Sequence, residues 1–119
     1  MRGIAAYKSV RKISASPERL LVMLYERAIQ DQEEAISYIS DGDLVSALPH
    51  LQRCRKIFIE LLNALDHDEA PELTENLRQL YLWAIRELIS AGRDYSVAPI
   101  RRTLRMTKDL HEAWDQVLS

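Results

Sequence analysis

Apolar residues recur every three or four positions through four stretches of this chain, each about twenty residues long, and that period is the signature of an amphipathic helix. Helix-breaking residues fall between the stretches: Asp41-Gly42-Asp43, then Asp66-His67-Asp68-Glu69, then the run from Gly92 to Ser96. No hairpin turn flanked by alternating apolar and polar residues is visible, nor any repeat of solenoid period. Four helices joined by loops this short must pack against their chain neighbours in opposite directions. The expected fold is therefore all-α, an antiparallel up-down four-helix bundle in a single domain. Residues 16–119 form the bundle, and residues 1–15 form a short mobile segment that packs on it.

The first helix is the best marked. Ser16 can cap it, Pro17 suits its first position and Glu18 suits the positive end of its dipole; it should run to Ser40, where Gly42 supplies a left-handed stop. Leu20, Leu21, Met23, Leu24, Tyr25, Ala28 and Ile29 cover more than one stripe, so this helix needs partners on two sides. The second should run from Leu44 to about Leu65, capped by Asp43, with Leu44, Leu48, Leu51, Cys54, Phe58, Leu61 and Leu65 on its main face. Pro49 removes an N–H and crowds the Val45 carbonyl, which predicts a kink or a later start. Towards its end Ile57, Phe58, Ile59, Leu61, Leu62, Ala64 and Leu65 leave almost no polar side, more apolar surface than one core-facing stripe explains, so something besides the core should cover part of it. The third helix, about Ala70 to Ala91 with Pro71 near its start and Gly92 as its stop, should turn Leu73, Leu77, Leu80, Tyr81, Ala84, Ile85, Leu88 and Ile89 inward, leaving Leu82 and Trp83 off the stripe. Ser96 is placed to cap the fourth helix, in which Ile100, Leu104, Thr107, Leu110, Trp114, Val117 and Leu118 recur at helical spacing.

A chain of 119 residues, 47% hydrophobic and 29% charged, can bury one core without disulfide or metal support. Cys54 is the only cysteine, which excludes an intrachain disulfide and a cysteine-rich zinc site and fits a reducing, cytoplasmic setting. No apolar run approaches the ~20 residues of a membrane span, and none follows the N-terminus as a secretory signal would. The N-terminal segment carries Arg2, Lys8, Arg11 and Lys12 before the first acid, Glu18, with Ile4, Tyr7, Val10 and Ile13 spaced by three between them. With no base-stacking aromatic beyond Tyr7 it does not read as a nucleic-acid arm. A helix so short is marginal alone, and it is ordered only if it docks.

Catalytic and metal chemistry find little to stand on. A di-iron bundle needs Glu three residues before His, and Ala47, Ala64 and Lys108 stand three before His50, His67 and His111. His111 and Asp115 share a helical face but make only two ligands. A histidine-phosphotransfer bundle is an alternative of another class: His50 is followed by Arg53, which could stabilise a phosphohistidine, although Pro49 and Cys54 fit that pattern poorly. No nucleophile, base and oxyanion-donor set can be assembled, and no glycine-rich phosphate loop is present. Neither enzyme activity nor a cofactor is expected. Arg101, Arg105 and Lys108 line one face of the fourth helix, as a solvated stripe or a dock for an acidic partner.

Taken together, the blocks GIAAYKSV (3–10), SASPERLLVMLYERAI (14–29), the Asp-Gly-Asp junction, NLRQLYLWAIREL (76–88) and LHEAW (110–114) resemble the FliS-type flagellin export chaperones of bacteria, in order and spacing over nearly the whole chain. The chain departs from the family pattern at Arg27, where a glycine is usual, at Ala70-Pro71 in place of Gly-Gly, at Trp83-Ala84 in place of Tyr-Met, and at the basic Arg101, Arg102 and Arg105 of the last helix.

The resemblance implies a cytoplasmic protein, monomer or weak homodimer, that binds the disordered C-terminal segment of flagellin. It implies that the client is withheld from polymerisation and delivered to a component of the flagellar export gate, without nucleic acid or stable membrane insertion. By position it matches Ile4 and Tyr7 to an N-terminal segment that lies near the client site, and Asn76, Leu80 and Tyr81 to the third-helix motif; Val10, on the same apolar spacing as Ile4 and Tyr7, joins the expected partner-binding set. Tyr25, Leu62 and Trp83 complete the expected partner-binding set. A helical adaptor unrelated to flagella, binding another amphipathic segment, is a further alternative.

Overall fold

The computed structural model describes residues 17–118. They form four helices: α1, Pro17–Ser40; α2, Leu44–Asn63; α3, Pro71–Asp94; and α4, Ala98–Leu118. Consecutive helices pack against one another, and α4 returns against α1, so the four close into the antiparallel bundle that the spacing predicts. The expected cap at Ser16 and the N-terminal residues Ile4, Tyr7 and Val10 lie outside the described residues.

Local chemistry explains most of the boundaries. Gly42 takes a left-handed φ of 79°, which a residue with a side chain adopts only with strain, and it turns the chain between α1 and α2. Asp43 then caps α2 by accepting the Ser46 N–H at 3.1 Å, and that bond, which favours the charged form, holds its carboxyl below the usual range. Pro71 stands at the start of α3, where its missing N–H is not needed. Three residues further on, Thr74 Oγ1 donates back to the Asp66 carbonyl at 3.2 Å and fixes the preceding loop.

Three expectations need correction. The α2 helix does not start late, because it begins at Leu44 and continues through Pro49. Nor does α3 stop at Gly92. It runs on to Asp94 and ends at Tyr95, whose φ is 54°, with the Tyr95 N–H bonded to the Ala91 carbonyl. Gly92 serves packing instead: a Cβ placed there would lie 3.6 Å from Leu51 Cδ1 and 3.7 Å from Leu48 Cδ2, so the start of α2 sits beside the end of α3. Ser96 does not cap α4. Its own N–H returns to Ala91 at 3.1 Å as part of the α3 terminus, and Val97 accepts the first α4 bond, from Arg101, at 2.9 Å.

The core is built from Leu21, Tyr25, Ala28 and Ala35 of α1, Ala47, Leu51, Cys54, Ile57, Phe58 and Leu61 of α2, Leu77, Tyr81, Ala84, Leu88 and Ala91 of α3, and Ile100 and Trp114 of α4, closed by Ala64 and Leu65. The bundle thus absorbs most of the apolar surplus at the end of α2. Only Ile59 stays exposed and Leu62 half-buried. Burial also pushes the Cys54 thiol far up, which leaves it a packing group rather than a nucleophile.

Candidate functional site

The expected site residues divide into three groups. Ile4, Tyr7 and Val10 lie outside the described residues. Tyr25 and Tyr81 lie in the core with no exposed surface: their hydroxyls bond to each other across the bundle, Tyr25 stacks obliquely on Trp114 at 6.4 Å, and Tyr81 on Phe58 at 5.9 Å. In this arrangement neither side chain reaches the surface, and together they tie α1 to α3. Leu62, Asn76, Leu80 and Trp83 reach the surface.

Helical geometry sorts that surface into two flanks of α3. Glu87 pairs with Arg102 at 2.8 Å, so the flank that carries it, with Asn76, Leu80 and Trp83 at three- and four-residue spacing, turns towards α4. Gly92 touches α2, so the flank of Leu82, Ile85 and Ile89 turns towards α2. Asn76, Gln79, Leu80, Leu82, Trp83 and Arg86 line a surface cavity of about 700 Å³ that wraps the outer side of α3 between the two.

The α2-facing flank is the more apolar one. Ile89, expected to point inward, is exposed there, because the inner stripe is already filled by Leu77, Tyr81, Ala84, Leu88 and Ala91. On α2, Leu48, Ile59 and Leu62 share the side that meets it, since an eleven-residue step from 48 to 59 is close to three full turns. Among the described residues the exposed large apolar side chains are Met23, Val45, Leu48, Ile59, Ile89 and Tyr95, and all but Met23 belong to α2 or to the end of α3. Exposed apolar side chains concentrated on two neighbouring helices make this side the candidate docking surface. Sequence reasoning did not single out Val45, Leu48, Ile59 and Ile89 as exposed apolar residues. The signal for the α2 part was the apolar surplus, but its division between core and surface depends on how far the helix is rotated.

His50 is not poised as a phosphoacceptor. Its Nδ1 lies 3.0 Å from the Asp31 carboxylate, its ring stacks on Tyr38 at 5.7 Å, and its side chain is only 22% exposed. Arg53 clamps the same carboxylate with Nε at 2.9 Å from Oδ2 and Nη2 at 2.5 Å from Oδ1, and this pairing raises the Arg53 pKa. Asp31 is wholly buried. The cluster is an ion-paired clasp between α1 and α2, and sequence reasoning missed Asp31 because a periodicity reading counts apolar residues. The basic stripe of α4 is partly used internally: Lys108 pairs with Glu33 at 3.4 Å and the neighbouring Arg102 with Glu87. Among the described residues no three His, Cys, Asp or Glu side chains gather as a metal site would require, and no helix is long and apolar enough to cross a membrane.

The profile of the family described as "Flagellar protein FliS" matches residues 1–119. The chain belongs to the FliS family. It is 32% identical over 120 residues to the flagellar secretion chaperone FliS of Campylobacter jejuni, covering 98% of this chain and 94% of that one. To the protein of the same name from Salmonella typhimurium it is 31% identical, covering 97% and 89%, and to that of Escherichia coli 25% identical, covering 98% and 90%. FliS members are flagellar secretion chaperones, not enzymes, and the exposed apolar flank of α2 and α3 belongs to a helical bundle of that family.

Proposed function

We propose that this protein binds the disordered C-terminal segment of a flagellin in the cytoplasm, keeps it from polymerising, and passes it to a component of the flagellar export gate. The observation that carries the reading is the row of exposed and half-buried apolar side chains at the rim of a filled core: Leu48, Ile59 and Leu62 on α2, with Leu82, Ile85 and Ile89 on the neighbouring α3. A client segment forming an amphipathic helix would cover that row, with the cavity by Asn76, Leu80 and Trp83 receiving side chains at its edge. Ile4, Tyr7 and Val10 are proposed to act with this surface from the N-terminal segment, and Tyr25 and Tyr81 to hold α1 and α3 in place beneath it. The protein works as a monomer or weak homodimer.

Covering four or five client side chains yields ~1.5–3 kcal/mol each, and ordering a disordered segment returns several of those kcal/mol, which leaves micromolar or tighter binding. Light scattering of seeded flagellin tests the outcome: an equimolar amount of this protein should suppress filament growth, whereas growth as fast with the protein as without it would refute the reading.

A further inference from the structure

Between α1 and α4 the bundle is held by a polar network rather than by aliphatic packing alone. Gln32 has no exposed surface, nor do Thr103 and Thr107 opposite it. The Gln32 amide nitrogen donates to the Ala28 carbonyl at 3.0 Å and to Thr107 Oγ1 at 3.1 Å, while its oxygen accepts from Thr103 Oγ1 at 2.6 Å. Thr107 Oγ1 donates in turn to the Thr103 carbonyl at 2.6 Å. The Ala28 carbonyl can only accept, so the nitrogen must face it, and this fixes which end of the amide meets which threonine. Both N–H donors of the amide are used.

We infer that Gln32, with Thr103 and Thr107, makes the inner face of α1 selective for the chain's own α4 and closes it to an apolar client helix. The inference rests on the reading that the protein holds a helical client. A chaperone for amphipathic helices faces a hazard of its own, because a client with aliphatic residues throughout its stripe would bury more apolar area on α1 than α4 does. The α4 stripe gives two of its central positions to threonine. Against an aliphatic stripe, however, the Gln32 amide would be buried with its bonds to α4 unmade, and a buried polar group without a partner disfavours the complex. Among the described residues no such group guards the flank of Leu48, Ile59 and Ile89. The same bundle therefore excludes an apolar helix from one seam and accepts it on another.

Two synthetic peptides spanning residues 98–118 test this without flagellin, one with the native sequence and one carrying Thr103→Val and Thr107→Val. Hydrogen exchange of the α4 amides in the full-length protein reports displacement of α4. The native peptide should accelerate that exchange at about tenfold lower concentration than the valine peptide, since only it restores the bonds to Gln32. In the Gln32→Met protein the order of the two peptides should reverse, an outcome that a purely structural role for Gln32 does not produce. If that variant fails to unfold cooperatively, the comparison on the wild-type protein decides alone. Equal effects of the two peptides on the wild type, including no effect of either, or a stronger effect of the valine peptide, overturn the inference. Because both peptides come from this chain's own α4, such a failure is separable from a failure to bind flagellin.

Discussion

Replacing Ile59 and Ile89 together by alanine should weaken client binding measurably while leaving the bundle folded. Ile59 is 42% exposed and Ile89 49%, so the bundle already covers about half of each. Full burial of an isoleucine side chain is worth ~1.5–3 kcal/mol, which leaves ~0.7–1.5 kcal/mol per residue for a client to collect. Alanine keeps part of that contact, so the pair should cost ~1–2.5 kcal/mol of binding, or roughly 5- to 70-fold in Kd. Stability falls too, but by an amount the domain can bear: the half-covered side chains lose some packing, while alanine gains a few tenths of a kcal/mol in helix propensity at each position. A net loss of ~1–2 kcal/mol is small for a domain whose typical stability is ~5–15 kcal/mol. Fluorescence anisotropy of a labelled flagellin C-terminal peptide gives the Kd, and urea denaturation gives the stability. Met23→Ala, at an exposed apolar site on α1, serves as the control and should leave the Kd unchanged. A double variant that binds within about twofold of wild type, or a control that loses as much, refutes the assignment of the α2–α3 flank.

Gly42→Ala should destabilise by ~1 kcal/mol because its φ is left-handed, while Gly92→Ala should stabilise by ~0.5–1 kcal/mol because it lies inside a helix and its Cβ would meet Leu48 and Leu51 at ordinary contact distance; urea midpoints for the two variants check the opposite signs. Asp31→Asn should destabilise by ~1–3 kcal/mol, since the buried partner of Arg53 and His50 loses its charge, and thermal unfolding followed by circular dichroism measures it. Hydrogen bonds from Arg78 and Gln79 hold the Glu75 carboxyl down at about 2, from an ordinary value of 4.5. Its contribution is therefore present above the ordinary value and lost as pH falls through about 2, so wild type and Glu75→Gln should differ slightly at neutral pH and converge at the acid end of a pH series.

How much of this was legible depended on whether one residue could decide a feature alone. Pro17, Gly42 and Asp43 did so, and α1 and the start of α2 stand where their chemistry puts them. The end of α3 was not decided that way: Gly92 reads as a stop, yet the neighbours Leu48 and Leu51 make it a packing position, and Tyr95 accepts the left-handed turn instead. Rotation about the helix axis was the other hidden variable. It separates Leu88, in the core, from Ile89, exposed, although both fall within the wide stripe that periodicity allows. The buried polar residues Asp31 and Gln32 could not be read from apolar spacing, since only the partners Arg53, His50, Thr103 and Thr107 on other helices make their burial tolerable. The resemblance put Asn76, Leu80 and Tyr81 in one third-helix motif, whereas helical spacing already turned Tyr81 towards the core, where it lies, and left Trp83 off the inward stripe.

The measurement that bears most directly on the proposed function is a calorimetric titration of the full-length protein with the C-terminal peptide of flagellin at several temperatures and two salt concentrations. Binding should be one to one and micromolar or tighter. Its enthalpy should grow more negative as temperature rises, because apolar burial gives a negative heat-capacity change, and its affinity should vary little between low and physiological salt, because the side chains the client would cover, Leu48, Ile59, Leu62, Leu82, Ile85 and Ile89, are apolar. Absence of binding heat at every temperature, or an affinity that collapses with salt while the heat-capacity change stays near zero, would contradict the account.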